Sequence, residues 1–429
     1  MTRMTIKFLL ILVIFLIPIS LMAQQEIVIK IKEGLPLIPV GIPDFAINTN
    51  NPSLKEAADL IYKTVWNDLK FSIVFQPISR EMYAYTRPVR SSKIFFKDWE
   101  SIQANILITG EISSAVEDRV IFSVKVWDVK SEGFIFGRNY EGKIKYAREI
   151  AHKFSDQMMI NFGEKPIFNS KIVFVSERDG NKEIYIMDWD GANQTRLTYN
   201  KVIDILPRIF SDRIRIAYTS YRKGNPDLYI FNMNEGKNEL LFSKGINYAA
   251  DFSPDGKKIA FVSSMEGNTE IYIANSDGTG LKRLTFNNSI DTSPSWSPNG
   301  REIAFTSDRS GSPQIYIMDV EGTNVRRITY EGSYYDSPAW SPDGDRIAFV
   351  SRIENNFDIY VYSIRNNTII KLTEFSGRNE NPSWSPDGRH LTFSSNRTGS
   401  YQIFLVDYDG QNVKQITFEG NNKMGYWSK

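Results

Sequence analysis

The chain of 429 residues contains no cysteine and only two histidines. Without cysteine it can form no disulfide, offer no thiol nucleophile and build no thiolate metal site. No lipid can be attached through an N-terminal cysteine either, so an exported form is expected to be soluble. The scarcity of histidine, with no G-x-S-x-G anywhere, leaves triad-type catalysis without its players. His152 falls in a helical stretch. His390 takes a repeat slot filled elsewhere by Lys258, Glu302 and Arg346, which reads as a solvated strand position. Charge of one sign is lacking too: 51 basic residues face 50 acidic ones, which excludes the electrostatic footprint of a nucleic-acid binder. Long apolar runs are missing apart from Phe8–Ile17. That run follows Arg3 and Lys7, ends at Pro18 and precedes "SLMAQQ". It is too short to span a membrane and reads as a secretory signal over 1–23, cut after Ala23.

What is present divides into two styles. Residues 24–165 carry no repeat. Alternation at Ile27, Ile29 and Ile31 predicts a strand. A helix is expected from Ser53, with Glu56 completing a capping box and Leu54, Ala57, Ala58, Ile61, Val65 and Leu69 as its buried stripe. Strands are expected at 71–75, 105–113, 119–130 and 134–142, and further helices near 98–104 and over 145–162. This predicts a small N-terminal α/β domain, with "GEKPIF" (163–168) as the linker.

Residues 166–429 are periodic. "SWSPNGREIAFTSDRSGSPQIYIMD" (295–319) has close variants spaced by 42–44 residues. Each unit holds four short β signals: "WS" and a Ser-Pro-Asp-Gly turn, "IAF", "IYIMD" and "RLT". Four strands in such a period are the signature of a propeller blade. The "WS" serines are Ser211, Ser253, Ser297, Ser341, Ser385 and Ser428. The first unit, "KIVFVS", lacks its own "WS" strand, and the terminal "YWSK" supplies it. The expected fold class is therefore α+β with two domains, the second a six-bladed β-propeller closed by the C-terminal strand.

If "WS" is innermost, the loops before it surround the channel on one face. "DWDGAN" (188–193) and its relatives could be read as calcium ligands, but Asp or Asn before Gly is what a tight turn requires. The "WS" aromatics read as blade packing. Tyr248, Tyr334 and Tyr335, with Asp291, Asp336 and Glu380 nearby, are either a partner-anchoring surface or packing over the blade tops. No cofactor and no metal site is expected.

A signal peptide, an α/β lead domain and a propeller of "SPDGxxIAF…IYIMDxDG…RLT" repeats resemble the TolB family, soluble periplasmic components of the Tol–Pal system. "WESIQANILITGEI" (99–112) resembles the corresponding segment of that family. The second repeat departs, with "RIFSDRIRIAY" lacking the Pro-Asp-Gly turn. The resemblance implies a monomeric, non-enzymatic binding protein of the periplasm, peripheral to the membranes, that supports outer-membrane integrity and constriction at division. It implies that the face of the pre-"WS" loops docks Pal, the peptidoglycan-associated lipoprotein. The matching residues are Asn247, Tyr248, Ala249, Asp291 and Thr292, extended by repeat equivalence to Tyr335, Asp336 and Glu380. It further implies contact with the inner-membrane protein TolA through the mature N-terminal segment, Gln24, Gln25, Glu26, Ile27, Val28, Ile29 and Lys30. The alternatives are a periplasmic small-ligand or glycan-binding propeller and a peptidase-associated propeller.

Overall fold

The protein is described by a computed structural model covering residues 36–47, 51–89, 93–114, 118–353, 356–374 and 376–428. It separates into residues 1–36 and a compact unit, Leu37–Lys429. The signal sequence, the strand expected around Ile27–Ile31 and the segment Gln24–Lys30 lie outside the described residues.

Within the compact unit the lead domain is a mixed sheet with helices. Strands β1 (Ile38–Gly41), β2 (Ala46–Ile47), β3 (Phe75–Pro77), β4 (Ile106–Ser113), β5 (Arg119–Asp128) and β6 (Gly133–Lys143) pair in the order β3-β1-β4-β5-β6, with β2 beside β4. Alternation in β5 sends Val120, Phe122, Val124 and Val126 into the core. Helices α1 (Pro52–Phe71) and α3 (Ala147–Asn161) share that core. A smaller cluster around Trp99 of α2 (Phe96–Ser101) packs with Leu107 and Val129.

The buried stripe of α1 is as expected, but its start is not. Asn51 is the cap, accepting from the Ser53 N–H, and Pro52 opens the first turn, where its missing N–H costs nothing. Ser53 is therefore inside the helix. The strand expected at 71–75 also shifts: α1 runs through Phe71, Ile73 takes a left-handed turn at φ 54°, and β3 begins at Phe75.

Among the described residues the repeats form six four-stranded antiparallel sheets. We number the blades I–VI by their second strands. Blade I is Asn422–Trp427, Lys171–Ser176, Glu183–Asp188 and Thr195–Arg196, so its inner strand comes from the C-terminus. The other inner strands are Asp204–Ile209 (II), Asn247–Phe252 (III), Asp291–Trp296 (IV), Tyr335–Trp340 (V) and Asn379–Trp384 (VI). Trp296, Trp340, Trp384 and Trp427 are buried in the blade cores.

The turn chemistry explains the motif. Ser253 Oγ accepts from Lys258 N at 2.9 Å and donates to Asp255 at 2.6 Å, and Ser297 bonds Glu302 N and Asn299 the same way. In blade I, Ser428 Oγ accepts from Lys171 N at 2.9 Å, so one hydroxyl ties the tail to the first repeat. Blade II, which lacks the motif, substitutes Asp212, whose carboxylate accepts from Ile214 N and Arg215 N. The "DxDG" stretches are turns as well: the carboxylates of Asp188 and Asp407 receive the amides of Asn193 and Asn412 from their own turns.

Lead domain and propeller share one buried apolar cluster, which runs from Leu54 and Phe154 to Met187, Trp189, Leu405 and Trp427. Both histidines sit at or beside this contact, which corrects the expectation for His390. Its ring is fully buried, stacked 4.0 Å from Phe71 of α1, with Nδ1 3.0 Å from Asp407. Sequence periodicity marks a position as outward from its own blade, and here the lead domain is what lies outward. Arg148 Nη2 donates to Asp190 of blade I at 2.7 Å and to His152 Nε2 at 3.2 Å, which leaves His152 Nδ1 as the donor to Asp68.

Burial pushes the Asp68 carboxyl up to about 6. A folded-state value above the unfolded one adds stability that is complete below the unfolded pKa and is lost as pH rises through about 6. Unfolding free energy should therefore gain roughly 1 kcal/mol from this group between pH 7 and pH 5. Urea titrations at the two pH values check this: Asp68→Asn should remove that part of the increase, and an identical pH slope in the variant would contradict it.

Candidate functional site

Each inner strand is built alike, and the alternation of its six positions decides what faces the channel. At the first position stand Asp204, Asn247, Asp291, Tyr335, Asn379 and Asn422, all buried. At the second stand Ile205, Tyr248, Thr292, Asp336, Glu380 and Lys423, all half-buried. At the third stand Leu206, Ala249, Ser293, Ser337, Asn381 and Met424, every one at a positive φ between 51° and 56°. The ladder to the second strand shifts register at this residue in every blade, a β-bulge repeated six times. An L-residue held there costs on the order of 1 kcal/mol, and the bulge turns the chain so that positions three and five line the channel.

The expected site residues therefore separate. Tyr248, Thr292, Asp336 and Glu380 occupy one ring of equivalent positions at the channel mouth. Asn247, Asp291 and Tyr335 lie one residue away and point into the blades. Asn247 Nδ2 holds the carbonyls of Lys244 and Gly245, and its Oδ1 accepts from Ser263 at 2.8 Å. Asp291 accepts from Asn287 and from Arg309 Nη2, at 2.7 and 2.8 Å. Tyr335 packs edge-on against Phe349. These three shape the loops. Ala249 lines the channel. The ring also contains Ile205 and Lys423, which the sequence reading passed over; counting along the repeat from Tyr248 would have found both.

The mouth is electrostatically organised. Asp336 accepts from Thr306 at 2.9 Å, Ser293 and Tyr334 at 3.2 Å, and Ser337 N at 2.6 Å. Burial, then the Asp336 charge, raises the Tyr334 phenol. Lys423 Nζ lies 3.5 Å above the Tyr401 ring, and burial lowers the Lys423 ammonium. Burial first and the Glu380 charge next push Tyr401 up to about 12. One side of the mouth is thus acidic and hydrogen-bonded, and the other is apolar, with Ile205 and the Tyr248 ring. Burial raises the Tyr248 phenol, whose oxygen lies 3.4 Å from Thr292 Oγ1.

Deeper in, Arg208 stacks 4.7 Å from the Tyr426 ring, and Asp251 accepts from Trp296 N at 2.8 Å and Tyr426 Oη at 3.4 Å. The channel at this level is a cavity of about 60 Å³. Among the described residues no group of three or more His, Cys, Asp or Glu is placed to hold a metal ion. Side-chain packing, with hydroxyls and one mixed-charge cluster, suits this site to recognition of a surface.

The model of the TolB beta propeller domain matches residues 161–357 and 335–429. The chain belongs to the TolB family. The model of the TolB amino-terminal domain matches residues 26–133. Among curated relatives, the Tol-Pal system protein TolB of Desulfosudis oleivorans is 36% identical over 247 residues, which are 56% of this chain and 55% of the relative. That of Paramagnetospirillum magneticum is 34% identical over 225 residues, 51% and 50% of the two chains. The chain spans about half the length of the curated relatives it matches. Among solved structures, TolB from Acinetobacter baumannii superposes with a TM-score of 0.78 at 25% identity, over 92% of this chain and 97% of that one. The likeness to that TolB structure thus extends over lead domain and propeller together.

Proposed function

We propose that this chain is a non-enzymatic periplasmic component of the Tol–Pal system, which seats a Pal-type peptidoglycan-associated lipoprotein on the channel mouth. The supporting observation is the ring of Ile205, Tyr248, Thr292, Asp336, Glu380 and Lys423: six half-buried side chains, one from each blade, held in register by six bulges. A ring so fixed meets a partner with little loss of side-chain freedom, and its mixed apolar and charged character matches a protein surface. The mature N-terminal segment Gln24–Lys30 is the second site of this reading, with a TolA-type protein as its partner. A coupling of about 1–3 kcal/mol between that segment and the mouth would suffice.

Calorimetry of the purified exported protein against the soluble domain of the Pal-type lipoprotein tests the reading. Tyr248→Ala combined with Glu380→Lys should weaken binding by about 100-fold, as loss of central contacts does. An unchanged Kd, or no binding by the unaltered protein, would refute it.

A further inference from the structure

In four blades the residue that follows the "LT" or "IT" pair is an exposed aromatic; in blade V that slot holds Glu374, and blade II lacks the pair. Tyr199, Phe286, Tyr330 and Phe418 stand there in blades I, III, IV and VI, 68%, 73%, 71% and 73% exposed. They are not loose. Three rest on a guanidinium: Arg196 lies 4.6 Å from the Tyr199 ring, Arg283 4.8 Å from Phe286, and Arg327 5.1 Å from Tyr330. Each platform is itself fixed. Arg196 donates to Thr198 O and to the buried Glu183, and Arg283 donates to Thr285 O and to the buried Glu270. Tyr199 and Tyr330 also donate their hydroxyls back to the carbonyls of Arg196 and Arg327. One face of the Tyr199, Phe286 and Tyr330 rings is thereby covered, and those three rings are held in place.

These aromatics open the same loops that end in the mouth ring: Tyr199 leads to Ile205, Phe286 to Thr292, Tyr330 to Asp336 and Phe418 to Lys423. Every such loop crosses from an outermost strand to the innermost strand of the next blade. Four strands at the usual spacing put rim and mouth about 15 Å apart. A peptide or single helix lying across the mouth is about 10 Å wide and reaches the rim only at its two ends. A folded domain of about 100 residues, with a radius of gyration near 13 Å, covers both. The four rings expose roughly 600 Å², comparable to one partner's share of a standard interface. Charges of both signs lie among them, Lys201 and Lys244 with Glu331 and Glu419, which suits a protein surface and not a phosphate-rich one.

We propose that the lipoprotein domain seated on the mouth extends to this rim and is anchored there by Tyr199, Phe286, Tyr330 and Phe418. The proposal rests on the Pal-type reading above. The experiment is calorimetry of the full exported protein with the same lipoprotein domain, using the quadruple variant Tyr199→Ser, Phe286→Ser, Tyr330→Ser, Phe418→Ser and the four single variants. The quadruple should bind at least about 100-fold more weakly and each single about 3- to 10-fold, at unchanged thermal midpoint. Hydroxyl-radical footprinting of the unaltered complex should protect the four rings, a readout independent of whether the quadruple folds. Rim variants within twofold of the parent, or rings left unprotected while the mouth variants still weaken binding, would overturn the rim and leave the mouth standing. Failure of the mouth and rim variants alike to change the Kd would overturn both.

Discussion

A chain ending at Asn421 will not show the single cooperative unfolding transition of the full protein. The lost strand, Asn422–Trp427, is the inner strand of blade I and pairs antiparallel with Lys171–Ser176. Its removal leaves a six-residue edge open at the channel, where a central strand should be. It also removes Trp427, fully buried, whose indole donates to Ser170 at 2.6 Å and whose backbone N–H donates to Ser383 of blade VI at 3.0 Å. Because Trp427 belongs to the cluster that joins propeller and lead domain, the damage should reach both. Trp427→Ala isolates the side-chain part and should cost about 3–5 kcal/mol. Urea unfolding followed by near-ultraviolet circular dichroism distinguishes the cases. A truncated chain with the parent's midpoint and slope would mean that the ring does not depend on its tail.

Gly191→Val should be the most damaging point substitution in a turn. Gly191 has φ +94°, and a Cβ placed there would lie 2.1 Å from the carbonyl oxygen of Ile416 in blade VI. Conformational strain at a β-branched residue of about 1–2 kcal/mol then adds to a clash with backbone, which cannot rotate away. The turn also carries Asp190, the partner of Arg148, so a displaced turn loosens the lead domain as well. A loss above about 3 kcal/mol is expected. Gly180→Val is the matched control: its φ is +85°, but a Cβ there meets nothing within 4 Å. Only the conformational strain of about 1–2 kcal/mol remains. Equal losses in the two variants, measured by thermal melting, would show that the packing against blade VI contributes nothing.

Much of the architecture is legible before any coordinates. The blade motif is a local device. The serine hydroxyl, the carboxylate two residues on and the left-handed glycine all bond within six residues, so the turn reads the same wherever it occurs. The count of six and the role of "YWSK" follow from that regularity, because an unpaired first repeat and an orphan last strand have one economical partner each. The cap of α1 is equally local, yet it lies two residues before the expected one. Asn51 accepts from the Ser53 N–H, and Pro52, which has no N–H to leave unpaired, takes the first helical position.

Sequence by itself determined the ring, its closure and the face that bears the variable loops, since these rest on hydrophobic alternation and turn chemistry of short range. The tertiary structure alone decided which loop residues are available. Asp291 and Thr292 are neighbours, yet the charged residue is fully buried and the neutral one lies at the mouth. Pairing with the second strand fixes that register, and the following bulge maintains it in every blade. It also decided that His390 is enclosed, because burial of that position depends on where α1 meets the propeller, a long-range contact that no period within the repeat encodes.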